Sequence, residues 1–328
     1  MIIAIDATSG EYAPYETVKG AIKAAQEYEV DITLVGNKTM LHVLCSRYRN
    51  KLDINIIEAS EVIGPHESPV KAIRNKPNSP IVVGTRLVKE KLADAFVSAG
   101  NTGAVLAAAL FNLGKIKGVD RPAICSLLGI TTAEPVLLID AGANADCRPS
   151  HLVQFARLGA IYCQRIIGIS TPRIGLLSNG EEETKGSQLV KETHHLLKTT
   201  NLNFIGNIEG QDIPTRKADV IVTDGFTGNI VLKTIEGMGD TFVNSLRQVG
   251  HVFSNAYRLQ GRALLQDLGL AKRVDYREYG GACLLGINGT VIITHGRSQA
   301  KAIKNAIGLA QQTAAQGITQ LIKEETNE

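Results

Sequence analysis

Cysteines are few in this sequence, and none has the spacing of a structural metal site. The five are odd in number and include no Cys-x-x-Cys pair: Cys45, Cys125, Cys147, Cys163 and Cys283. Zinc sites usually draw their ligands from such pairs, and a disulfide framework needs an even count. We therefore expect reduced thiols and no metal site.

Neither sign of charge predominates, and no stretch is apolar enough to cross a bilayer. The 328 residues carry 35 Lys and Arg against 32 Asp and Glu, a formal net charge of +3. A nucleic-acid-binding domain would show a strong basic excess on one face, so we expect no nucleic-acid partner. No apolar run approaches the roughly 20 residues of a membrane span. Met1 leads directly into an apolar run, so we expect no signal peptide.

The common nucleotide and hydrolase motifs are also missing. The first apolar run is not followed by Gly-x-Gly-x-x-Gly, and there is no Walker-type loop, no Gly-x-Ser-x-Gly elbow and no His-Glu-x-x-His. His194 and His195 are adjacent, so they cannot face one metal ion from the same side of a helix. We interpret this pair as part of a surface helix.

Short apolar runs rich in Val and Ile recur along the chain, and each ends in a small or polar cluster. They are Ile2–Ile5, Ile32–Val35, Ile81–Val83, Ala95–Val97, Val136–Ile139, Ile174–Leu177 and Val220–Val222. Runs of this length are typical of buried strands. Helical patterns separate most of them, at Thr17–Glu27, Leu152–Arg165 and Ser187–Lys198. This alternation predicts an α/β fold with a mostly parallel sheet between helical layers, in which ligands bind at the carboxyl ends of the strands.

Two corners of the chain resemble each other. Ala93–Gly103 and Ala218–Gly228 both read Ala-Asp, an apolar run, Ser or Thr, and then Gly-x-Thr-Gly. Glycines allow backbone N–H groups to converge, and the N-terminus of a following helix favours a phosphate. The resemblance therefore indicates either a shared anion site or only two strand-to-helix corners of the same kind.

The alternation of strands and helices breaks between Asp240 and Arg277, where strand signals are absent. We interpret this segment as a helical excursion, and we expect residues 1–328 to form a single domain. A final helix is predicted from Gln299 to Lys323. Leu264, Leu265 and Leu268 would share one side of a helix in the excursion, beside a row formed by Arg258 and Arg262. Such a surface suits anionic lipid or an acidic protein, or it is buried between subunits.

The polar loops match a known family in order along the chain. Matching segments are Ser98–Ala104, Gly118–Ala123, Asp140–Asn144, Gly180–Gly186, Thr223–Asn229, Tyr279–Ala282 and His295-Gly296, with a looser match at Asp6–Pro14. In these segments the chain resembles the PlsX-type phosphate acyltransferases of bacterial phospholipid synthesis. It departs from the family pattern in the first loop, where Thr8, Ser9 and Glu11 replace Met, Gly and Asp.

The resemblance implies transfer of a fatty acyl group from acyl carrier protein to inorganic phosphate, giving acyl phosphate for glycerol-3-phosphate acylation. It implies an isopropylmalate-dehydrogenase-like fold, no cofactor and no protein nucleophile, because phosphate itself attacks the thioester. The expected catalytic residues are Asn101, Lys185 and His295. The expected substrate-binding residues are Arg74, Gly100, Thr102, Gly103, Asp140, Gly142, Asn144, Asp224, Gly225, Thr227, Gly228 and Asn229. We expect the loops at Ser98–Ala104, Asp140–Asn144 and Thr223–Asn229 to converge in one cleft.

Five of these residues also have a plainer interpretation. Asn101 and Asn144 could be turn-formers, Lys185 could pair with the neighbouring glutamates at the surface, and Arg74 could be exposed on a helix. His295 could be structural.

The resemblance further implies a homodimer in the cytoplasm, associated peripherally with the inner face of the cell membrane and with the downstream membrane glycerol-3-phosphate acyltransferase. Two alternatives of other classes stay open. One is a decarboxylating dehydrogenase of the isopropylmalate type, which would need clustered aspartates around a divalent metal. The other is a non-catalytic scaffold for acyl carrier protein and membrane.

Overall fold

The computed structural model describes residues 1–46, 48, 52, 54–129, 134–252 and 280–326. The chain divides into two compact units, which are described separately. The first comprises Met1–Ser126, Gln164–Gly168 and Tyr279–Glu328, and the second comprises Leu127–Cys163 and Ile169–Glu278. The prediction of an α/β fold with mostly parallel strands is confirmed in each unit.

The first unit is built on β-strands whose central members are buried on both faces. Its strands are β1 (Ile2–Asp6), β2 (Asp31–Gly36), β3 (Ile54–Glu58), β4 (Ala95–Ser98), β5 (Ala123–Leu128), β10 (Ala282–Leu285) and β11 (Thr290–Ile293). They follow the order β3-β2-β1-β4-β11-β10-β5, in which β10 is antiparallel to both neighbours and the strands from β3 to β11 are parallel. Full burial of β4 explains its continuous apolar sequence, since parallel strands are covered by helices on both faces.

Helices follow most of these strands. In the first unit they are α1 (Tyr15–Tyr28), α2 (Lys38–Cys45), α3 (Pro69–Asn75), α4 (Pro80–Lys89), α5 (Thr102–Asn112), α9 (Ala300–Ala315) and α10 (Ile318–Thr326). Helices α1 and α9 pack against each other, and α5 packs against α3 and α4.

Two sequence predictions in this unit are wrong. Ile81–Val83 lies in helix α4 and not in a strand, because Pro80 occupies the first helical position, where its missing N–H costs nothing. Gly84 of that helix lies against the Phe96 ring of β4, so α4 covers the sheet. The predicted final helix is two helices, because Gly317 adopts φ +63° between α9 and α10, a conformation that ends a helix.

The second unit contains four parallel strands in the order β6-β9-β7-β8. They are β6 (Val136–Ile139), β7 (Ile174–Leu177), β8 (Phe204–Ile208) and β9 (Val220–Val222). The helices are α6 (Pro149–Tyr162), α7 (Gln188–Lys198) and α8 (Gly225–Val252). Helix α8 carries the predicted helical excursion as far as residue 252, and residues 253–277 of that prediction lie outside the described residues.

Strands β3, β5, β8 and β10 were not predicted from the sequence. Strands β3 and β8 are only partly buried, so they lack a continuous apolar run. No helix of the described residues is long and apolar enough to cross a membrane.

Candidate active site

The predicted site residues divide between the two units. Arg74, Gly100, Asn101, Thr102, Gly103 and His295 belong to the first unit. Asp140, Gly142, Asn144, Lys185, Asp224, Gly225, Thr227, Gly228 and Asn229 belong to the second. Convergence of the 98–104 loop with the two loops of the second unit stays a prediction.

In the first unit, the loops after β1, β4 and β11 meet at the edge of the sheet formed by the carboxyl ends of the strands, because these three strands are adjacent and parallel. The backbone N–H of Glu11 donates to the Gly296 carbonyl at 2.8 Å. The Ser98 hydroxyl donates to the Asp6 carboxylate at 2.8 Å. Three loops that sequence analysis treated separately therefore form one surface.

Asp6 holds the first of these loops. Its buried carboxylate accepts hydrogen bonds from the backbone N–H groups of Thr8, at 3.2 Å, and Ser9, at 3.0 Å. Burial raises the pKa of Asp6, and these hydrogen bonds oppose the rise. Sequence analysis missed Asp6 as a site residue, although it opens the first motif.

Asn101 caps helix α5, and both ends of its amide are engaged. Oδ1 accepts from the Ala104 N–H at 3.1 Å. Nδ2 donates to the Pro65 carbonyl at 3.1 Å and to the Glu67 carbonyl at 3.3 Å. The Asn101 side chain thus fixes the start of α5 against the 64–67 loop.

The first two N–H groups of α5, those of Thr102 and Gly103, have no acceptor among the described residues. The Thr102 side chain is exposed, and the Gly100 N–H is satisfied by Ser98 Oγ at 3.0 Å. The cap is a neutral amide, so it does not offset the positive potential of the helix N-terminus. This end of α5 is suited to an anion.

His295 follows β11 at the same edge and is half-buried. Its Nδ1 accepts a hydrogen bond from the Arg297 N–H at 3.0 Å. A neutral imidazole bonded in this way carries its proton on Nε2. His295 can therefore donate a hydrogen bond from Nε2.

Arg74 does not join this group. Its guanidinium lies 5.6 Å from the centroid of the Phe111 ring. Phe111 is near the end of α5, about 13 Å along the helix axis from Thr102 at 1.5 Å per residue. The plainer interpretation of Arg74, an exposed helical residue, fits this position.

In the second unit, the loops Asp140–Asn144 and Thr223–Asn229 are in contact. The Gly225 N–H donates to the Asn144 carbonyl at 2.7 Å. A Cβ atom at position 228 would lie 1.9 Å from the Asp140 carbonyl oxygen, so only glycine allows this approach. Two of the three predicted loops are thus brought together.

Four backbone N–H groups of these two loops are already bound to carboxylates. Asp140 accepts from the N–H groups of Gly142, Ala143 and Asn144 at 3.1, 3.0 and 2.8 Å, and from Asn144 Nδ2 at 2.8 Å. Asp224 at the start of α8 accepts from the Thr227 N–H at 2.9 Å and from its hydroxyl at 2.8 Å. An anion is already present at α8, in contrast to α5.

Lys185 lies in the loop after β7, at the same edge as the loops after β6 and β9. Its side chain is exposed and forms no ion pair with the described residues. The preceding acids have other partners: Glu181 with Lys217 at 2.6 Å and Glu183 with Lys198 at 2.5 Å. The Lys198 hydrogen bond lowers the pKa of Glu183, so that carboxylate stays ionised. The interpretation of Lys185 as a partner of the glutamates is therefore wrong.

Known proteins similar to this chain identify its family. The family described as fatty acid synthesis protein matches residues 1–321. The chain belongs to this family. A phosphate acyltransferase of Dehalococcoides mccartyi is 58% identical over 328 residues, covering 99% of this chain and 94% of the relative. A phosphate acyltransferase of Desulforamulus reducens is 47% identical, covering 98% and 96%.

Solved structures share the fold at low sequence identity. A phosphotransacetylase from Streptococcus pyogenes has a TM-score of 0.63 at 19% identity and covers 96% of this chain and 94% of its own. A 4-hydroxythreonine-4-phosphate dehydrogenase from Klebsiella pneumoniae has a TM-score of 0.52 at 13% identity, covering 96% and 98%. The expected likeness of fold to a dehydrogenase is confirmed, and at this identity it extends to the fold alone.

Family membership confirms the predicted class, an acyltransferase enzyme. The scaffold alternative is therefore wrong. The dehydrogenase alternative finds no support in the curated relatives. Within the described ranges, no group of three or more His, Cys, Asp or Glu side chains could hold the metal it would need.

Proposed function

We propose that this enzyme transfers a fatty acyl group from the thioester of acyl carrier protein to inorganic phosphate. The observation that carries the proposal is the N-terminus of α5, where the N–H groups of Thr102 and Gly103 have no acceptor within the described part of the chain and the cap is neutral. Phosphate binds there, since backbone N–H groups and the helix dipole favour it. The loops of the second unit are less suited to phosphate because Asp140 and Asp224 already take their N–H groups.

The chemistry needs no covalent enzyme intermediate. A phosphate oxygen attacks the thioester carbon, an oxyanion forms on the carbonyl oxygen, and the carbon–sulfur bond breaks. The departing thiolate takes up the proton that the phosphate loses, and the Nε2–H of His295 donates a hydrogen bond that orients the phosphate. The ammonium of Lys185 stabilises the oxyanion, and Asn101 holds the helix start that binds phosphate. Asn229 is exposed and contacts substrate. The other residues of these two loops shape the loops themselves: Asp140, Asn144, Gly225, Thr227 and Gly228.

A reaction mixture of purified enzyme, inorganic phosphate and acyl carrier protein with a long acyl chain tests the function. We expect acyl phosphate, trapped as the hydroxamate, with free carrier protein in equal amount. Mass spectrometry of the quenched enzyme should show no added acyl group. Cys147 is the thiol to inspect, because Cys45, Cys125, Cys163 and Cys283 are buried. Acyl-Cys147, or hydrolysis without acyl phosphate, would contradict the proposed reaction.

A basic surface on the first unit is the proposed docking site for the acidic carrier protein. Lys23, Lys301 and Lys304, with Gln26 and Glu27, line a concavity of about 410 Å³ between α1 and α9. Both helices begin at the edge that carries His295, because α1 follows β1 and α9 follows β11. A carrier bound there would present its acyl group to this edge.

Charge reversal tests the docking site. Lys23→Glu and Lys301→Glu should each raise the KM for acyl carrier protein about threefold to tenfold, with the KM for phosphate unchanged. The effect should shrink as ionic strength rises. The matched control is Lys89→Glu. Lys89 is exposed at the end of α4, and because α4 leads into β4, it lies at the amino ends of the strands, opposite the edge that carries His295. An equal effect in all three variants would rule out this surface.

We also propose that the enzyme is a cytoplasmic homodimer that binds the inner face of the cell membrane reversibly and delivers acyl phosphate to a membrane glycerol-3-phosphate acyltransferase. The support is a pattern in the sequence: on a helix, Leu264, Leu265 and Leu268 would share one side, beside a row formed by Arg258 and Arg262. These residues lie outside the described residues. Acyl phosphate is amphipathic and reactive, so release beside a bilayer suits it.

A further inference from the structure

The adjacent histidines of α7 have different environments. His194 is 4% exposed, whereas His195 is exposed. The interpretation of both as surface residues is therefore wrong for His194, because it packs edge-on against the Phe204 ring at 5.1 Å between centroids. Its Nδ1 lies 2.9 Å from Oδ1 of Asn207 on β8.

Asn207 connects this buried histidine to the loop that carries Lys185. Its Nδ2 donates to the Glu182 carbonyl at 3.0 Å. Oδ1 is then the acceptor, so His194 carries its proton on Nδ1. Asn207 is itself 4% exposed, so neither hydrogen bond is exchanged freely with water.

The Glu182 carbonyl is also the acceptor for the backbone N–H of Lys185, at 3.0 Å. An unbroken series of hydrogen bonds thus runs from His194 through Asn207 and the Glu182 carbonyl to Lys185. The ion pairs of Glu181 with Lys217 and of Glu183 with Lys198 hold the same loop at the surface, where they contribute little. Glu183 Oε1 also lies 3.7 Å from Nε2 of His194, so the imidazole contacts this loop directly as well. The buried amide and imidazole are the stronger constraint.

We infer that His194 and Asn207 are positioning residues for Lys185, holding its loop so that the ammonium is presented to the reacting thioester. The inference rests on the proposed function, in which Lys185 stabilises the oxyanion. Catalytic groups must be held within a fraction of an ångström, and their supporting hydrogen bonds set that precision.

The test combines His194→Leu with Lys185→Ala in a double-mutant cycle. His194→Leu should lower kcat about tenfold and change the KM for either substrate less than about twofold. In the Lys185→Ala background it should lower kcat no further, because there is no ammonium to misplace. His194→Asn keeps a donor near the position of Nδ1 and should restore kcat to within about threefold.

The control is His195→Leu on the same helix, which should leave kcat unchanged. If His194→Leu fails to fold, Asn207→Asp replaces it in the test. This variant keeps an acceptor for His194 but removes the donor to the Glu182 carbonyl, so kcat should again fall. An equal fall in kcat with and without Lys185 would show that His194 has a general structural role. That result would overturn this inference but not the proposed role of Lys185. If Lys185→Ala itself leaves kcat unchanged, the proposed role of Lys185 and this inference both fail.

Discussion

Lys185→Ala should lower kcat by about 10²–10³-fold with little effect on thermal stability. A single donor that stabilises an oxyanion contributes about this much to the rate. The side chain is exposed and has no ion pair with the described residues, so its removal leaves no buried group without a partner. The measurement is initial rate at saturating acyl carrier protein and phosphate, beside a thermal melt.

Two further variants sharpen this expectation. Lys185→Arg keeps the positive charge and should recover part of kcat, less than fully because guanidinium and ammonium differ in shape. Lys191→Ala, on α7 in the same unit, is the matched control and should keep nearly full activity. If Lys185→Ala and Lys191→Ala are equally active, Lys185 does not take part in the reaction.

Thr102→Asp should raise the KM for phosphate by about tenfold to a hundredfold. Two negative charges 4 Å apart repel by roughly 4 kcal/mol at an effective dielectric constant of 20, and exposure at this position reduces that figure. An acid in the first turn favours the helix itself, so stability should hold or rise slightly. At α8 an acid stands one position earlier, before the helix, where Asp224 accepts from the N–H of Thr227.

The control for this prediction is Thr102→Ser, which changes no charge and should leave the KM for phosphate within about twofold. The KM for acyl carrier protein should be unaffected by Thr102→Asp, because the added charge competes only with the bound anion. Unchanged phosphate kinetics with a folded Thr102→Asp enzyme would exclude the N-terminus of α5 as the phosphate site.

Much of this arrangement could be predicted from local sequence. Alternating apolar runs and helical patterns indicated the α/β fold, and Gly-x-Thr-Gly marked the starts of both α5 and α8. The prediction failed at Ile81–Val83, since an apolar triplet fits a buried strand and a buried helix equally well. Pro80 at the first helical position and the packing of Gly84 on Phe96 distinguish the two.

The sequence by itself determined the α/β alternation along much of the chain, the polar loops at the strand ends and the family. Those properties depend on residues that are close together in the sequence and on the order of the motifs along the chain. The tertiary structure decided which polar groups stay available. Asn101 Nδ2 is taken by Pro65, 36 positions away, and Glu181 is taken by Lys217, also 36 positions away. Which hydrogen-bond donors are left over after folding depends on such distant partners. Only the folded chain could therefore show that Lys185 has no ion pair, and the first N–H groups of α5 no acceptor, among the residues that the structure describes.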